Sequence, residues 1–279
     1  MFRLANRGII KMVGPDAAQF LHNITTNDVI SMKPNSSIYN LILNSKGRYL
    51  FDFFLVKCAA CFLLDCYRSD IEEMLELLRL YKMMSKVKMR SCDEYFVAID
   101  TNKQTGSCGE TFMLEPGVIM FQDPRHENMG VRYIVECSNE HSAVIPEQDE
   151  KEYEYRMQSN TVVDCRKSMI RGESFPLHYG LDKLNAISYT KGCYMGQETV
   201  ARMYRVGTKK MIYTVISKTG EALPKDRVAV QYKDEQIGHI VSSVEEIGLC
   251  LLEIARVPEG GDSLTVEGIP VMIEKKILR

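Results

Sequence analysis

Apolar residues recur along this chain at two spacings, and the change from one to the other marks out its parts. Between residues 69 and 84, Ile71, Met74, Leu75, Leu78 and Tyr81 fall three or four apart, the stripe of an amphipathic helix. A shorter helix is expected over residues 16–27. Asp16 can cap its start, Phe20 and Leu21 give it an apolar face, and Asn23 to Asn27 form a turn-prone exit. Residues 37–43 and 49–57 read as strands joined by Asn44-Ser45-Lys46-Gly47, a hairpin in which Gly47 supplies the positive φ of a tight turn. Residues 94–100, 118–121 and 131–136 are further strands, and 151–158 a helix. The Gly-, Pro- and Asn-broken stretch 101–152 completes a mixed α/β lobe. From residue 209 the pattern becomes a series of short strands, at 212–216, 227–232, 236–241, 248–254 and 271–277, which suggests a small antiparallel barrel. The boundary falls near residues 205–210, giving an α/β region over 1–208 and a barrel over 209–279.

Length and composition agree with this division. A chain of 279 residues exceeds one compact core of ordinary size, and 45% hydrophobic with 26% charged residues is a normal globular balance. The formal charge of -2 excludes a general nucleic-acid coat, which would be strongly basic. No apolar run reaches the roughly 18–20 residues needed to cross a bilayer. The opening MFRLANRGIIKMVG is too polar for an export signal. Nine scattered cysteines without a disulfide framework point to reduced thiols in a cytosolic compartment, or in the mitochondrial matrix for a eukaryotic source.

The densest chemistry lies at residues 189–205, YTKGCYMGQETVARMYR. Gly192 and Gly196 flank Cys193 and let the backbone bend and a ligand approach it. Gln197 to Arg202 has helix-forming composition, which puts Cys193 just ahead of a helix N-terminus. The helix dipole and Lys191 both favour the thiolate, while Glu198 opposes it. Such a thiolate serves as nucleophile, redox thiol or soft-metal ligand, and Gln197 can hold a ligand amide or order the loop. The competing reading is a buried cysteine in a tight turn, because free cysteine is among the most buried residues.

The string LDKLNAISYTKGCYMGQETVARM resembles the signature of the YgfZ family, relatives of the glycine-cleavage T-protein. Lys191, Gly192, Cys193, Tyr194, Gly196, Gln197 and Glu198 fill the family pattern, and Leu181-Asp182 and Ala201-Arg202 match around it. Asp16-Ala17, Phe20-Leu21, Thr26-Asn27-Asp28 and Gly47-Arg48 with Asp52 are similar to earlier family landmarks. The resemblance implies an α+β fold: a three-lobed ring of mixed α/β lobes around a folate channel, closed by a C-terminal antiparallel β-barrel. It implies tetrahydrofolate as ligand, with Asp52 at the place of the T-protein's folate-activating aspartate, and Arg156, Gln158 and Tyr189 alongside. It further implies an accessory role in making or repairing iron–sulfur clusters, in support of enzymes that include radical tRNA-modifying ones. Cys193 is then the functional thiol, and iron–sulfur assembly proteins or client enzymes are the partners. The alternative is a tetrahydrofolate-dependent aminomethyl or one-carbon transferase. One departure bears on folate: relatives carry Arg-x-Glu-x-Gly where this chain has Arg156-Met157-Gln158-Ser159-Asn160, and an amide replaces only part of a carboxylate's acceptor role.

Other signals compete less strongly. Cys58-Ala59-Ala60-Cys61, with Cys66 nearby, invites a metal or redox reading. It lies in an apolar strand region without a second CxxC or paired histidines, so shielded, slowly reacting thiols are expected there. Of the nine cysteines, Cys193 is expected to be the most reactive. His22 and His178 read as structural histidines, Lys209-Lys210 with Arg202 and Arg205 as a solvated face, and Asp164-Cys165-Arg166 as a turn. No resident metal, direct nucleic-acid contact or membrane contact is expected.

Overall fold

A computed structural model describes residues 1–139, 145–146, 150–225, 227–261 and 263–276. The chain opens with strands β1 (Phe2–Arg3) and β2 (Arg7–Val13), then helix α1 (Ala17–Ile24). Strands β3 (Ser36–Leu43), β4 (Tyr49–Lys57) and β5 (Phe62–Tyr67) lead to helix α2 (Ile71–Lys82). Five more strands follow: β6 (Lys88–Cys92), β7 (Tyr95–Asp100), β8 (Thr111–Glu115), β9 (Val118–Gln122) and β10 (Val131–Glu136). Helices α3 (Lys151–Ser159), α4 (Cys165–Ser168) and α5 (Gln197–Val206) precede the last strands, β11 (Lys210–Ser217), β12 (Ala229–Tyr232), β13 (Glu235–Val244), β14 (Ile247–Glu253), β15 (Leu264–Val266) and β16 (Ile269–Lys276).

Two compact units result: Met1–Lys46 with Leu50–Asp149 and Leu184–Gln197, and Gly47–Tyr49 with Glu150–Lys183 and Glu198–Arg279. The second unit is larger than a barrel beginning at residue 209, because α3 packs on β13 and β14, and α4 on β13.

The first unit holds two five-stranded sheets, in the orders β3-β4-β5-β2-β6 and β1-β7-β10-β9-β8. Strand β4 shows why its sequence is apolar at nearly every inner position. Phe51, Phe53 and Leu55 point to one face and join Phe20, Leu21, Met74 and Leu78 of α1 and α2 in a common core. Asp52, Phe54 and Val56 alternate to the other face, where the Phe54 ring lies 6.2 Å from Phe121 of the second sheet. The stripe expected at 69–84 forms α2, with Ile71, Met74, Leu75 and Leu78 buried. Residues 68–70 instead make a 3₁₀ turn, and Met83 ends the helix with a positive φ of 47°. Asp16 stands at the N-cap of α1 but caps nothing with its side chain; its carboxylate accepts the Lys86 N–H at 2.6 Å. Gly47 has φ 72°, as the hairpin requires.

In the second unit β11-β14-β13-β12-β15-β16 close into an antiparallel barrel, filled by Val215, Val230, Ile240, Leu252, Leu264 and Val266 among others. Strand β15 is three residues long and escapes a pattern search. The expected strand at 271–277 begins two residues earlier, and residue 277 lies outside the described residues. Asp164-Cys165-Arg166 starts a single helical turn, α4, whose Asp164 carboxylate accepts the Lys167 N–H at 3.3 Å.

Candidate functional site

The loop between Asn185 and α5 hangs on the end of α1. Thr26 Oγ1 donates to the Ala186 carbonyl at 2.6 Å, the Ser188 N–H to the Thr26 carbonyl at 3.0 Å, and Asn27 Nδ2 to the Asn185 carbonyl at 2.7 Å. Lys191 completes the attachment. Its side chain runs inward, and Nζ donates to the carbonyls of Thr25 (2.5 Å), Asn27 (3.1 Å) and His22. Those carbonyls belong to the last turn of α1 and the residues just beyond, where intrahelical partners run out and a cation suits the dipole. Burial pulls the Lys191 ammonium down to about 8, with the Asp28 charge acting the other way. The ammonium also lies 5.0 Å from the centre of the buried Tyr194 ring. Burial raises the pKa of the Tyr194 phenol.

Above this pedestal the loop turns outward. Gly192 and Cys193 are exposed, Tyr194 is buried, and Met195 accepts a hydrogen bond from Tyr81 Oη at 3.4 Å. Gln197 Nε2 donates to the Gly192 carbonyl at 3.4 Å, so Gln197 orders the loop from its far side. Gly196 has φ 82°, a conformation natural to glycine alone. Gly192 needs no such conformation, and a Cβ there would meet only His22 Nε2, at 3.9 Å. His22 Nδ1 in turn lies 3.3 Å from Asp28 Oδ1, while burial and the Lys191 charge hold its pKa below the usual imidazole range.

One expectation about the thiol is corrected here. Lys191 does not lend its charge to the thiol side of the loop, because three carbonyls take up its ammonium. Cys193 is exposed as expected, and Cys108 and Cys137 are exposed too. Cys193 lies four positions before the first residue of α5, on which Glu198 and Arg202 are exposed. The expectation that Cys58 and Cys61 are shielded also fails. Only Cys66 is buried; the other two sit half-exposed at the tip of the β4–β5 hairpin, beyond the end of the sheet's cover.

A second polar centre lies between the sheets of the first unit, and sequence reasoning found only Asp52 of it. Tyr39 Oη donates to Asp52 Oδ2 at 2.9 Å. Arg7 Nε donates to Asp65 Oδ1 at 2.6 Å, and Arg132 Nη2 to Asp65 Oδ2 at 2.7 Å. Arg125 pairs with Asp123 through Nε (3.1 Å) and Nη2 (2.8 Å). The guanidiniums of Arg132, Arg125 and Arg7 lie 4.0, 4.8 and 5.4 Å from the centre of the Phe54 ring. Three cations therefore meet three carboxylates in a nearly dry interior. Burial works against the Arg7 cation, but the charges of Asp65 and Asp52 outweigh it and raise its pKa. Burial likewise works against the Asp123 carboxylate, and the charges and hydrogen bonds of Arg125, with Arg132, more than offset it and hold its pKa low. The available signal was a charge inside an apolar strand run, as in Phe-Leu-Leu-Asp65-Cys, because such residues are buried only when paired.

The residues expected to hold folate are drawn from both units. Asp52, on the inner face of β4, and Tyr189, exposed on the loop, belong to the first unit; Arg156 and Gln158, on α3, belong to the second. Asp52 is a buried carboxylate that accepts from Tyr39 Oη, and a carboxylate is chemically suited to a ligand with N–H donors. Gln158 does not fit: it is buried, its side-chain amide is paired with Ser242 Oγ (Nε2 at 3.0 Å, Oε1 at 3.4 Å), and its backbone carbonyl accepts from Thr214 Oγ1 at 3.0 Å.

Comparison with known proteins follows the same division. Residues 1–102 match the GCVT N-terminal domain and residues 209–276 the CAF17 C-terminal β-barrel domain. A solved structure of the glycine cleavage system aminomethyltransferase T from Bartonella henselae shares the fold, with a TM-score of 0.70 and 12% identity, over 98% of this chain and 84% of that one. A GCVT-type N-terminal domain joined to a CAF17-type barrel is thus the class that fold and sequence define. In this pairing the chain is similar to the YgfZ/GcvT-like family. Among its relatives, the mitochondrial iron-sulfur cluster assembly factor IBA57 homolog of Dictyostelium discoideum is 30% identical over 84% of this chain and 65% of its own length. The IBA57 factors of Mus musculus (29% identical, 90% of this chain, 76% of theirs) and Homo sapiens (30%, 77% and 65%) are similar as well. The chain spans just under two thirds of the slime-mould and human relatives.

Proposed function

We propose that this chain is an accessory factor of iron–sulfur cluster assembly in which Cys193 meets the cluster, its iron or the protein that carries it. The observation that carries the reading is a single exposed thiol on a turn fixed from beneath by Lys191, Tyr194 and Gln197. An iron–sulfur cluster takes about four ligands. Among the described residues no three Cys, His, Asp or Glu side chains gather as a metal site. A thiol so placed suits a ligand lent to a cluster whose other ligands come from a partner. The names of the relatives support the same assignment, and their mitochondrial label suggests the matrix as the compartment.

Tetrahydrofolate enters this reading as a ligand of the first unit. Asp52 would accept from a pterin's N–H groups and Tyr39 would hold the carboxylate in place, with Tyr189 on the loop as a second contact. Support for radical tRNA-modifying enzymes would follow from cluster supply, without nucleic-acid contact.

The test is a strain lacking this chain, scored for the activity of a [4Fe–4S] enzyme. The wild-type chain is expected to restore activity and Cys193→Ser to fail, with the variant accumulating and melting as the wild type does. Full rescue by Cys193→Ser would remove the thiol from the reading. Turnover of an aminomethylated lipoyl carrier protein by the purified chain would favour the transferase alternative.

A further inference from the structure

The β4–β5 hairpin ends in a feature that the cluster-assembly reading does not use. Val56 pairs with Leu63 and Lys57 with Phe62, so the next rung places Cys58 opposite Cys61 across the two-residue turn Ala59-Ala60. The Cys58 N–H donates to the Cys61 carbonyl at 2.9 Å and closes that rung. Facing residues of a hydrogen-bonded antiparallel pair have Cα atoms about 5.5 Å apart and side chains on one face. A disulfide needs Cα atoms roughly 4.4–6.8 Å apart, and a rung of this kind falls within that range. The two thiols lie within hydrogen-bond reach of one another. Both are half-exposed, and they border a cavity of about 210 Å³ whose lining includes Gly14, Pro15, Ala17 and Ala18. The small side chains of that wall leave room for the thiol end of a small molecule.

We propose that Cys58 and Cys61 are a redox-active dithiol that exchanges with a low-molecular-weight disulfide of the glutathione type. This is a separate activity from that of Cys193. The Cys61 thiolate attacks one sulfur of the reagent, whose S–S bond breaks, and the first thiolate leaves and takes a proton from solvent. Cys61 is now a mixed disulfide. Cys58 then attacks the Cys61 sulfur, its proton passing to the second departing thiolate. Two protein thiols become one disulfide, and the reagent takes up two electrons and two protons to become two thiols. Excess reduced thiol runs the same steps backwards.

The electrostatics assign the roles. The hydrogen bond from Cys58 lowers the Cys61 thiol to about 6 against the opposing effect of burial, and the Lys11 charge adds to the lowering. That same bond, with burial, raises Cys58. Cys61 is therefore the attacking sulfur and Cys58 the resolving one. Cys66 is no substitute resolver: it is buried, and burial pushes its thiol up to about 12.

The experiment equilibrates the full chain with reduced and oxidised glutathione over a wide range of ratios, quenches with acid, alkylates and reads each cysteine peptide by mass spectrometry. One intramolecular 58–61 disulfide is expected, appearing within about two decades of ratio and reversing with excess reduced glutathione. Cys58→Ser is expected to trap a glutathione adduct on Cys61. Cys61→Ser is expected to leave Cys58 reacting at least roughly tenfold more slowly at pH 7. Both substitutions lie at a hairpin tip, and a thermal melt superimposable on the wild type shows that each variant is folded. Glutathione adducts on Cys108 and Cys137 at ratios where the 58–61 disulfide never forms would overturn the proposal. So would a folded Cys58→Ser that traps no adduct on Cys61.

Discussion

At Gly192-Cys193 a single thiol stands on a turn held from beneath by a buried lysine, whereas at Cys58 and Cys61 two thiols face each other across a turn and hold one another. The first arrangement is assembled from distant pieces: the loop at 185–197 is fixed to carbonyls some 165 residues earlier in the chain. The second is local, set by one hairpin and its register. Among the described residues no cluster of metal ligands gathers around Cys193, and in the proposed reading a partner supplies the rest. The hairpin pair contains both its nucleophile and its resolver, so its chemistry calls only for a small disulfide.

That contrast is open to attack at four points. The largest effect is expected from Lys191→Met, which strands three inward-facing carbonyls and costs about 3 kcal/mol. The melting temperature should fall and amide exchange at residues 185–197 should rise, while exchange of the 58–61 dithiol with glutathione stays as it was. An unchanged melt would show that the turn does not hang on the lysine.

Next comes Cys58→Ala. It removes the hydrogen bond that contributes most to lowering Cys61, so the thiolate fraction at pH 6.5 falls and alkylation of Cys61 there slows at least about tenfold. Cys193 should label at its former rate. Equal slowing at both sites would mean that the two turns are coupled.

The third point is a control outside both turns. Burial, with the charges of Lys210 and Arg48, lowers His178 of the second unit to about 4. Its folded pKa lies below the unfolded value, so the unfolded state binds more protons between pH 4 and 6.5. Stability is accordingly lost as pH falls through that window. A drop of roughly 2–4 °C is expected after allowing for solvent screening of the partly exposed ring. His178→Gln should flatten it, and a pH-independent melt would show that the ring is not held neutral.

The smallest effect tests the turn's backbone. Gly196→Ala forces a side chain into the left-handed region at a cost of about 1 kcal/mol, whereas Gly192→Ala should cost under about 0.5 kcal/mol. Comparable melts for the two variants would remove the special place given to Gly196.

Legibility differed between regions for physical reasons. The helix α2 announced itself because its face is set by a local 3.6-residue period, and β4 because a strand buried on both faces is apolar at most positions, Asp52 excepted. The residues of the cysteine turn were legible through resemblance, but the direction of Lys191 was not. Spacing places its Cα beside Cys193, while the ammonium goes where helix α1 leaves carbonyls free. Cys58 and Cys61 were misjudged because an apolar neighbourhood in sequence says nothing of where a hairpin ends. The charged centre was legible only at Asp52, since Arg7 and Asp65 are 58 positions apart and Asp65 and Arg132 another 67.

That charged centre has a consequence for how the first unit comes into being. The stretch that matches the GCVT N-terminal domain, residues 1–102, contributes Arg7, Asp52 and Asp65, one cation against two anions. Asp123, Arg125 and Arg132 arrive only with the strands that follow. A nascent chain that closed its first sheet early would leave this unbalanced face in water, and covering it without Arg125 and Arg132 would be strongly unfavourable. The second sheet can thus bury that face only with its own arginines in place. A fragment cut at residue 102 is expected to remain unfolded on its own and to gain structure when the missing strands are supplied in trans.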